Sequence, residues 1–596
     1  MPYFALLDDA VANRAQLFQN HMRSEFLPPD EIGKLDACLK KGWAENLHVV
    51  IFADYEFGLP LQTLPAEQGF LALHWFAEKN LLDNPQQWLS EQSGNKPAGL
   101  TCTRNSVNQA AYTEAVNRIK AAIARGDTYQ INYTARLHAR AYGDPVKLYT
   151  RLRQPVPYAA LACLPDGQQQ HKWTLCFSPE LFLKISESGE MLTEPMKGTA
   201  PVLNDGQDAV RAAELQADPK NRAENIMIVD LLRNDLGKIA ETGSVRVPEP
   251  FKVSRFGSVW QMTSAVYAQA KPGTSAADIF KATFPCGSIT GAPKRMSMHL
   301  IQQLETEPRS LYTGSIGHLA PCVGDLGFHG TLNVVIRTLQ LAPAENTDCY
   351  KAIYGVGSGI VWDSDSHAEY EECRWKSRFI TQLAPEFDLI ETIRVENRQI
   401  PLLPYHLKRL THSAHMLNIP YDETAAANYI QNIAAALPQH AHRLKITLKP
   451  NGRLQHETAP LTHFATPQYV TLSQTDLPDA DFLRRFKTSH RHIYDQGWQT
   501  AQAQGAFDSL FFNRSGFLLE GGRSNVFLLI DGAYHTPPVG LDILNGVMRQ
   551  AVFDRPNDYL GGITPVESRL TRKDILRAEK ILLSNALRGV FEVCLK

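Results

Sequence analysis

The chain has 596 residues, a length that predicts several domain-sized units rather than one core. Its 60 basic and 62 acidic residues give a formal charge of −2 without a basic stripe, which argues against a nucleic-acid or anionic-membrane partner. The amino-terminal segment lacks the layout of a signal peptide, and no apolar run is long enough to cross a bilayer. We therefore expect a cytoplasmic protein whose nine scattered cysteines stay reduced.

The first clear element is a helix predicted over residues 112–125. Val116, Ile119 and Ile123 recur there at helical spacing, and Gly126 ends the pattern. The next residues, YQINYTARLHARA, alternate as a strand does. This switch from helix to strand indicates an α+β fold.

Residues 194–200 read EPMKGTA and place Lys197 between Met196 and Gly198. A lysine in this setting gains little from solvent, so a pocket around it would lower its pKa and leave a neutral amine. Such an amine is a covalent nucleophile. For an isolated lysine the ordinary alternative is a solvated surface charge.

Six further motifs surround Lys197 in a fixed order. They are SPELF (178–182), AENIMIVDLLRNDLGKI (223–239), GSITGAPK (287–294), YTGSIG (312–317), VIRTL (335–339) and GSGIVWDSD (357–365). Over roughly residues 100–382 this order resembles the chorismate-utilising enzymes, which include anthranilate synthase component I, isochorismate synthase and aminodeoxychorismate synthase component I. The PxKGT pattern resembles the aminodeoxychorismate synthase branch, because anthranilate synthases carry a small residue at the lysine position. The resemblance implies amination of chorismate, in the p-aminobenzoate branch of folate synthesis.

The same resemblance implies a role for each matching residue. Lys197 would attack C2 of chorismate, Glu180 would protonate the departing C4 hydroxyl, and Glu224 and Glu372 would bind Mg²⁺. The implied substrate shell is Thr290, Gly291, Tyr312, Arg337, Gly357, Gly359 and Lys376.

The residues alone leave some of these roles open. Glu372 and Lys376 lie four apart in a helix predicted over 369–383, where they could equally form a solvated ion pair. Glu224, predicted in the first turn of a helix, could simply compensate the helix dipole. Ser288 or Thr290 is predicted to cap the helix that follows the GSITGAPK loop.

Two positions depart from the family pattern. Gln261 stands where relatives often carry histidine, and an amide cannot shuttle a proton, so no acid–base role is expected there. Ala200 and Val202 stand where relatives carry arginines, so carboxylate contacts from that stretch are not expected. The first 100 residues carry no recognisable motif.

A new pattern starts at Phe387, and we place a boundary between Gln382 and Phe387, giving units 1–384 and 385–596. No Gly/Ser-rich linker separates them, so the halves should lie close together.

The second unit contains HLKRL (406–410), FKTSHR (486–491), LEGGRSNVF (519–527), ILNGVMRQ (543–550) and LSNALRG (583–589). These motifs resemble the fold-type IV pyridoxal-phosphate enzymes, a group with aminodeoxychorismate lyase and branched-chain aminotransferase, and imply an α/β fold of two subdomains.

This second resemblance also implies residue roles. Lys487 would form the Schiff base with pyridoxal 5'-phosphate and act as acid–base catalyst, while Glu520 would hold the pyridine nitrogen protonated. Arg409 would pair with the phosphate. The N–H groups near Gly546 and Val547 would complete the phosphate site with Asn585. The NGVMRQ run is more similar to the lyase than to the PGxTR run of aminotransferases, and relatives of this group are commonly homodimers.

Together the two resemblances imply a fused enzyme that makes p-aminobenzoate and pyruvate from chorismate and ammonia. No cysteine stands in the GxCxG turn of a glutamine amidotransferase, so a separate amidotransferase subunit would supply the ammonia. The alternatives are an anthranilate synthase-like half joined to an aminotransferase, or a catalytically inactive scaffold. Lys197 and NGVMRQ argue against the first, and the full set of catalytic residues argues against the second.

Overall fold

The computed structural model describes residues 3–168, 170–256, 259–345, 347–462 and 467–596. The strands of the first half are β1 Phe4–Asp9, β2 Arg14–Leu27, β3 His48–Ala53, β4 Leu71–Leu82, β5 Gly99–Leu100, β6 Arg104–Asn105, β7 Gln130–Tyr142, β8 Tyr158–Pro165, β9 His171–Ser178, β10 Leu181–Ile185, β11 Glu190–Glu194, β12 Met196–Pro201, β13 Lys252–Phe256, β14 Val259–Thr263, β15 Val266–Gln269, β16 Gly291–Ala292, β17 Ser315–Pro321, β18 Phe328–Asn333, β19 Thr338–Pro343 and β20 Cys349–Ile360. Its helices are α1 Leu35–Ala44, α2 Gly58–Leu61, α3 Pro85–Gln92, α4 Gln109–Ala124, α5 Pro145–Leu152, α6 Asp208–Ala217, α7 Pro219–Gly237, α8 Ala276–Thr283, α9 Lys294–Leu304, α10 Ser366–Lys376 and α11 Arg378–Thr381.

The strands of the second half are β21 Leu389–Val395, β22 His442–Leu448, β23 Leu454–Pro460, β24 Gln468–Leu472, β25 Asp508–Phe512, β26 Leu518–Gly521, β27 Asn525–Ile530, β28 Ala533–Thr536, β29 Val566–Glu567, β30 Lys580–Asn585 and β31 Gly589–Leu595. Its helices are α12 Leu403–Met416, α13 Glu423–Ala436, α14 His492–Ala503, α15 Val547–Asp554, α16 Pro556–Tyr559 and α17 Arg572–Arg577. Short 3₁₀ turns lie at Pro29–Lys34, Tyr55–Phe57, Gly287–Ile289, Phe482–Arg485 and Val539–Leu541.

Antiparallel pairing joins most first-half strands into one continuous ladder. The order of neighbours is β15–β11–β10–β18–β17–β3–β4–β2–β1–β8–β9–β19–β20–β7, and β5, β6 and β16 also pair with β7. A separate sheet, in the order β12–β14–β13, carries Lys197. Two large apolar clusters pack the helices against these strands.

The predicted helix-to-strand switch is confirmed. Helix α4 begins after Asn108, whose side chain accepts a hydrogen bond from Ala111 N, and it buries Val116 and Ile119. Strand β7 follows and pairs along its length with β20. The helix predicted over 369–383 is instead two helices, because α10 ends at Lys376 and α11 begins at Arg378.

The second half contains two sheets, as expected for two subdomains. Strands β21, β22 and β23 form an antiparallel sheet beside α12 and α13. The larger sheet has eight strands in the order β26–β25–β24–β31–β30–β27–β28–β29 and mixes parallel with antiparallel pairs. Within the described ranges no helix is both long and apolar enough to span a membrane.

The two halves are in direct contact. The rings of Tyr142 and Phe482 are stacked with centroids 5.7 Å apart. Phe482 N donates to Asp348 Oδ1 at 2.8 Å, and Asn418 Nδ2 donates to Thr101 O at 3.0 Å. The interface therefore combines apolar packing with hydrogen bonds that fix the orientation of the halves.

Candidate active sites

The first candidate site centres on Lys197 in β12. A Cβ added to Gly359 would lie only 3.2 Å from Lys197 Nζ and 2.3 Å from Gln130 Nε2. A larger residue at position 359 would displace the ends of both side chains above β20. The lysine predicted from the EPMKGTA segment thus meets the glycine predicted from the GSGIVWDSD segment.

The charges around Lys197 are mixed. Burial lowers the pKa of Lys197, and the charge of Lys376 acts in the same direction. Three carboxylates, Glu224, Glu180 and Glu372, oppose this change. The structure therefore brings together five of the residues predicted from separate motifs.

Glu180 follows the end of β9 and is only 5% exposed. Burial raises the pKa of Glu180 to about 6, although hydrogen bonding from Ser288 and the charge of Lys197 act against this increase. A carboxyl group with such a pKa can carry a proton near neutrality, as a general acid must.

The prediction that Ser288 or Thr290 caps the next helix is wrong. Helix α9 begins after Pro293 without a side-chain cap, and Thr290 Oγ1 donates to Gly287 O at 3.1 Å. Ser288 instead contacts the Cys286 thiol and influences Glu180. Both hydroxyl groups contact residues of their own loop, and neither caps the helix.

The two predicted metal ligands approach Lys197 from different helices. Glu372 Oε1 pairs with Lys376 Nζ at 2.7 Å, and Lys376 Nζ also donates to Gly357 O at 2.9 Å. Glu224 lies in the second turn of α7, not the first, because that helix begins at Pro219 after the Asp218 cap. Dipole compensation at the first turn is therefore not its role.

The donor set at this place suits a hard cation only in part. Burial raises the pKa of Glu224, while the charges of Lys197 and Lys220 oppose this change and those of Glu369 and Glu372 add to it. In the part of the chain that the structure describes, no three His, Cys, Asp or Glu side chains converge as metal ligands. Glu224 and Glu372 could hold Mg²⁺ only if substrate oxygens and water completed its coordination.

The remaining shell residues lie against different neighbours. Burial lowers the pKa of Arg337, and the charges of Tyr354 and Glu180 oppose this change. The Tyr312 ring packs where a Cβ on Gly355 would stand, and Arg136 lies over its face at 5.2 Å. The backbone of Gly291 lies against the backbone of Gln130, because a Cβ added to Gly291 would be 2.1 Å from Gln130 O.

Several buried polar atoms in this region have no hydrogen-bond partner among the described residues. They are both amide atoms of Gln130, Glu180 Oε1 and Gln261 Oε1. Buried polar atoms are normally paired, so this cluster indicates a place for a polar ligand. Gln130 was not singled out from the sequence, because its burial depends on the pairing of β7 with distant strands.

The second candidate site is a cavity of about 1120 Å³ in the second half. Lys487 lies in its wall, and burial together with the charges of Arg491 and Arg409 lowers the pKa of Lys487 to about 7. Glu391 and Glu520 oppose this change. The amine can thus exist in its neutral form at neutral pH.

Glu520, at the end of β26, lies in the same cavity and is 5% exposed. Tyr494 OH donates to its Oε1 at 3.1 Å, and Asn525 Nδ2 donates to its Oε2 at 3.2 Å. Burial raises the pKa of Glu520 to about 7, while hydrogen bonding from Leu544 N lowers it. A cationic ring nitrogen would favour the ionised form of this carboxyl group.

Arg409 is held by a residue that the sequence reasoning missed. Its Nε and Nη2 donate to Glu391 Oε1 and Oε2 at 2.8 and 2.6 Å, and Glu391 Oε2 also contacts His406 Nδ1 at 2.6 Å. Despite burial, Arg409 and His406 lower the pKa of Glu391 to about 2. Its signal was an acidic residue on the buried face of β21, between Leu389 and Ile393.

The expected phosphate region lies at the start of α15. Gly546 is the residue before this helix, and Val547 begins it, so their N–H groups lie at the cavity wall. Asn585 Oδ1 accepts from Leu587 N and Arg588 N at 3.1 and 2.9 Å, so that oxygen stabilises its own turn. Ser584 Oγ is buried without a partner among the described residues and fits an additional anion contact.

The charge of this cavity differs from that of the whole chain. Among the described residues that line it, the acidic ones are Asp481, Asp495 and Glu520. The basic ones are Lys96, Arg409, Arg443, Lys445, Arg484, Lys487, Arg491, Arg523 and Arg588. An excess of this size favours an anionic ligand.

Each half of the chain matches the model of a known protein family. Residues 75–382 match the model of the chorismate binding enzymes, and residues 388–595 match the model of the class IV amino-transferases. The first match covers slightly more than half of the chain. The chain belongs to the chorismate binding enzyme family, and it carries a class IV amino-transferase domain that implies pyridoxal phosphate as a cofactor.

Individual relatives of the first half carry two different names. The chain is 40% identical over 299 residues to aminodeoxychorismate synthase component 1 of Klebsiella aerogenes, which covers 49% of this chain and 62% of that protein. It is 38% identical over 300 residues to anthranilate synthase component 1 3 of Haloarcula marismortui, covering 50% and 56%. The chain thus spans about six tenths of the length of these curated relatives.

A solved structure gives the fold of the first half. Anthranilate synthase component I from Streptococcus pneumoniae TIGR4 is similar with a TM-score of 0.50 at 24% identity, covering 62% of this chain and 92% of that chain. The α+β architecture expected for the first half is confirmed. The family resemblance inferred from the motifs of both halves is confirmed as well.

Proposed function

We propose that the chain is a bifunctional enzyme that makes p-aminobenzoate. Its first unit, residues 1–384, would convert chorismate and ammonia into 4-amino-4-deoxychorismate. Its second unit, residues 385–596, would cleave this product into p-aminobenzoate and pyruvate. The proposal rests on the position of Lys197 Nζ, which lies above Gly359 and near the carboxylates of Glu180, Glu224 and Glu372.

Overall identity does not choose between amination at C4 and an anthranilate-type reaction, because relatives with both names are 38–40% identical to the chain. Lys197 supports the first reaction. Anthranilate synthases resemble this chain but carry a small residue at that position, where no amine could attack. The half-buried Lys197, with its lowered pKa, is suited to attack.

In the proposed first reaction, Lys197 attacks C2 of chorismate while the bond between C4 and its hydroxyl breaks. Glu180 donates its proton to the departing hydroxyl, which leaves as water. Ammonia then forms a bond to C4, the bond between C2 and Lys197 breaks, and Glu180 accepts the proton that ammonia loses. Arg337 and Lys376 would bind the substrate carboxylates.

Magnesium is part of this proposal. Glu224 and Glu372 would hold Mg²⁺, which would neutralise substrate carboxylate charge when bound. Glu372 also pairs with Lys376, so its carboxylate lies beside a group proposed to bind the substrate.

In the proposed second reaction, Lys487 removes the proton from C4 of the amine substrate. Pyridoxal phosphate, when bound, supplies an electron sink for this step. Glu520 would hydrogen-bond the ring nitrogen, and Arg409, whose Nε and Nη2 are held by Glu391, would use Nη1 for the phosphate. Loss of the enolpyruvyl side chain, protonated to pyruvate, converts the cyclohexadiene ring into an aromatic ring, and this drives the step.

A separate glutamine amidotransferase subunit would supply the ammonia. All nine cysteines are free, and burial raises the pKa of Cys286 to about 12, which is unsuitable for a nucleophile. The free cysteines also support a reducing, cytoplasmic location. A homodimer formed through the second unit, as in many fold-type IV enzymes, is a further part of the proposal.

One assay tests the whole proposal. Purified chain loaded with pyridoxal phosphate is given chorismate, Mg²⁺ and ammonium, and the products are separated by chromatography. We expect p-aminobenzoate and pyruvate in equal amounts, and much slower reaction when glutamine replaces ammonium. Fluorescent anthranilate as the product would support the rival reaction, and absence of any product would support a scaffold.

A further inference from the structure

A loop of the first half forms part of the cavity of the second half. Asn95 and Lys96 lie between α3 and β5, yet they line the same cavity as Lys487 and Glu520. The other described residues that line the cavity lie between positions 390 and 588. The second site therefore has one wall that the second half does not supply.

The base of this loop is held in place. A Cβ added to Gly143 would lie 2.2 Å from Pro97 O, so the two backbones are in close contact. Ala98 N donates to Glu386 Oε2 at 3.1 Å, and Ala98 O accepts from Arg151 Nη1. Lys96 is thus presented to the cavity from an anchored backbone.

The Lys96 ammonium itself is held only weakly. Its Nζ lies 3.6 Å from Asp481 Oδ2, and the side chains are 54% and 26% exposed. Exposed pairs at such distances contribute little to stability. By contrast, Arg484 in the same cavity donates to Leu541 O, Pro478 O and other backbone carbonyls, so its nitrogens are already engaged.

We propose that Lys96 is a specificity-determining residue of the second site, which binds a carboxylate of the substrate at the mouth of the cavity. The inference rests on the proposed function, because 4-amino-4-deoxychorismate keeps both carboxylates of chorismate. Lys96 is the basic residue that the first half adds to this cavity wall, and Asp481 holds its ammonium only weakly. With Lys96 as the partner of one carboxylate, recognition at the second site depends on the fusion.

The test uses the full chain loaded with pyridoxal phosphate and supplied 4-amino-4-deoxychorismate. Lys96→Met keeps the length of the side chain but removes the charge, and we expect KM for pyruvate release to rise about tenfold while kcat stays the same. Lys147→Met is the matched control, because Lys147 pairs with Glu386 at 3.2 Å in the same interface but does not line the cavity. Its KM should match that of the wild type.

Asp481→Asn separates binding from a merely structural role. Asparagine can still accept from Leu483 N, as Asp481 Oδ1 does at 3.2 Å, but it releases the Lys96 ammonium from its ion pair. If Lys96 binds substrate, KM stays the same or falls in Asp481→Asn. An equal rise of KM in Asp481→Asn and Lys96→Met would overturn the inference and show that the pair only anchors the loop.

The two proposals fail in different ways. If wild-type chain loaded with cofactor releases no pyruvate from 4-amino-4-deoxychorismate, the proposed function and this inference both fall. If the wild type is active and Lys96→Met has an unchanged KM, only the role of Lys96 is wrong. Equal near-visible absorbance of the loaded wild-type and Lys96→Met chains verifies that the cofactor site is intact.

Discussion

Lys197 and Lys487 are both lysines whose pKa is lowered first by burial, but their surroundings differ. Lys197 has one nearby lysine and three nearby carboxylates, so the net charge around it is negative and opposes the effect of burial. Around Lys487 the charges of Arg491 and Arg409 add to the effect of burial, and the pKa of Lys487 falls to about 7. Burial among charges of both signs and burial beside like charges can thus both lower the pKa of a lysine and make its amine reactive.

The two sites also differ in how far their buried polar atoms already have hydrogen-bond partners. In the first site Gln130, Glu180 and Gln261 keep buried atoms that have no partner among the described residues. In the second site Ser584 Oγ also lacks a partner among the described residues, but Glu520 and Arg409 are already fixed by several hydrogen bonds. The first arrangement suits a polar substrate that completes the site, whereas the second suits a cofactor that must be held in one orientation.

The strongest test of this contrast removes the first amine. Lys197→Ala should slow amination of chorismate by at least about a thousandfold, because a nucleophile cannot be replaced by binding groups. Binding of chorismate and Mg²⁺, measured by calorimetry, should remain largely unchanged. A trapped reaction should show an adduct on Lys197 by mass spectrometry. Lys184→Ala, at an exposed position of β10, is the control, and full activity of Lys197→Ala would rule out the covalent route.

Removing the second amine should separate the two halves. Lys487→Ala should lose the near-visible absorbance of the bound cofactor and stop pyruvate release, while 4-amino-4-deoxychorismate accumulates. Adding Lys197→Ala chains, whose second half is intact, should restore p-aminobenzoate by diffusion of the intermediate. The exposed Lys573→Ala is the control. Normal p-aminobenzoate formation by Lys487→Ala alone would contradict the assignment of the second half.

A smaller loss is expected for the proposed acid of the first site. Glu180→Gln should slow amination by about a hundredfold to ten-thousandfold. An acid must be protonated to act, and the pKa of Glu180 is raised to about 6, so wild-type activity should fall as pH rises through about 6. This alkaline decline should be absent from the residual activity of Glu180→Gln. An unchanged pH profile would assign the proton to another group, and the exposed Glu187→Gln serves as control.

The smallest expected effect concerns stability beside the second site. Glu391→Gln leaves Arg409 and His406 without their anion, and breaking a buried ion pair costs about 3–5 kcal/mol. Because the pKa of Glu391 is lowered from 4.5 to about 2, its stabilising effect is complete above about pH 4.5 and is lost as pH falls towards 2. Thermal unfolding of variant and wild type should therefore converge with falling pH.

The exposed pair of Lys445 and Glu457 provides the matched control for this prediction, and Glu457→Gln should change the unfolding temperature little. A constant difference between Glu391→Gln and the wild type from pH 7 to pH 3 would mean that the charge of Glu391 does not contribute.

Local patterns were sufficient for the outline of the protein. Helical spacing from Tyr112 and the alternation after Gly126 predicted α4 and β7, because both are set by which face of a short segment is buried. Ordered motifs identified the family of each half, and they include Lys197 and Lys487. The roles assigned to the individual site residues stay predictions.

Other features depended on residues that are distant in the chain. Gln130 meets Lys197 only because β7 pairs with β20 and brings Gly359 beside both. Ser288 influences Glu180 from a loop that is distant in the chain, and Glu391 holds Arg409 because β21 lies beside α12. Lys96 reaches the second cavity only through packing between the halves. Periodicity records which face of a segment is buried, but the partner across that face is decided by the tertiary structure.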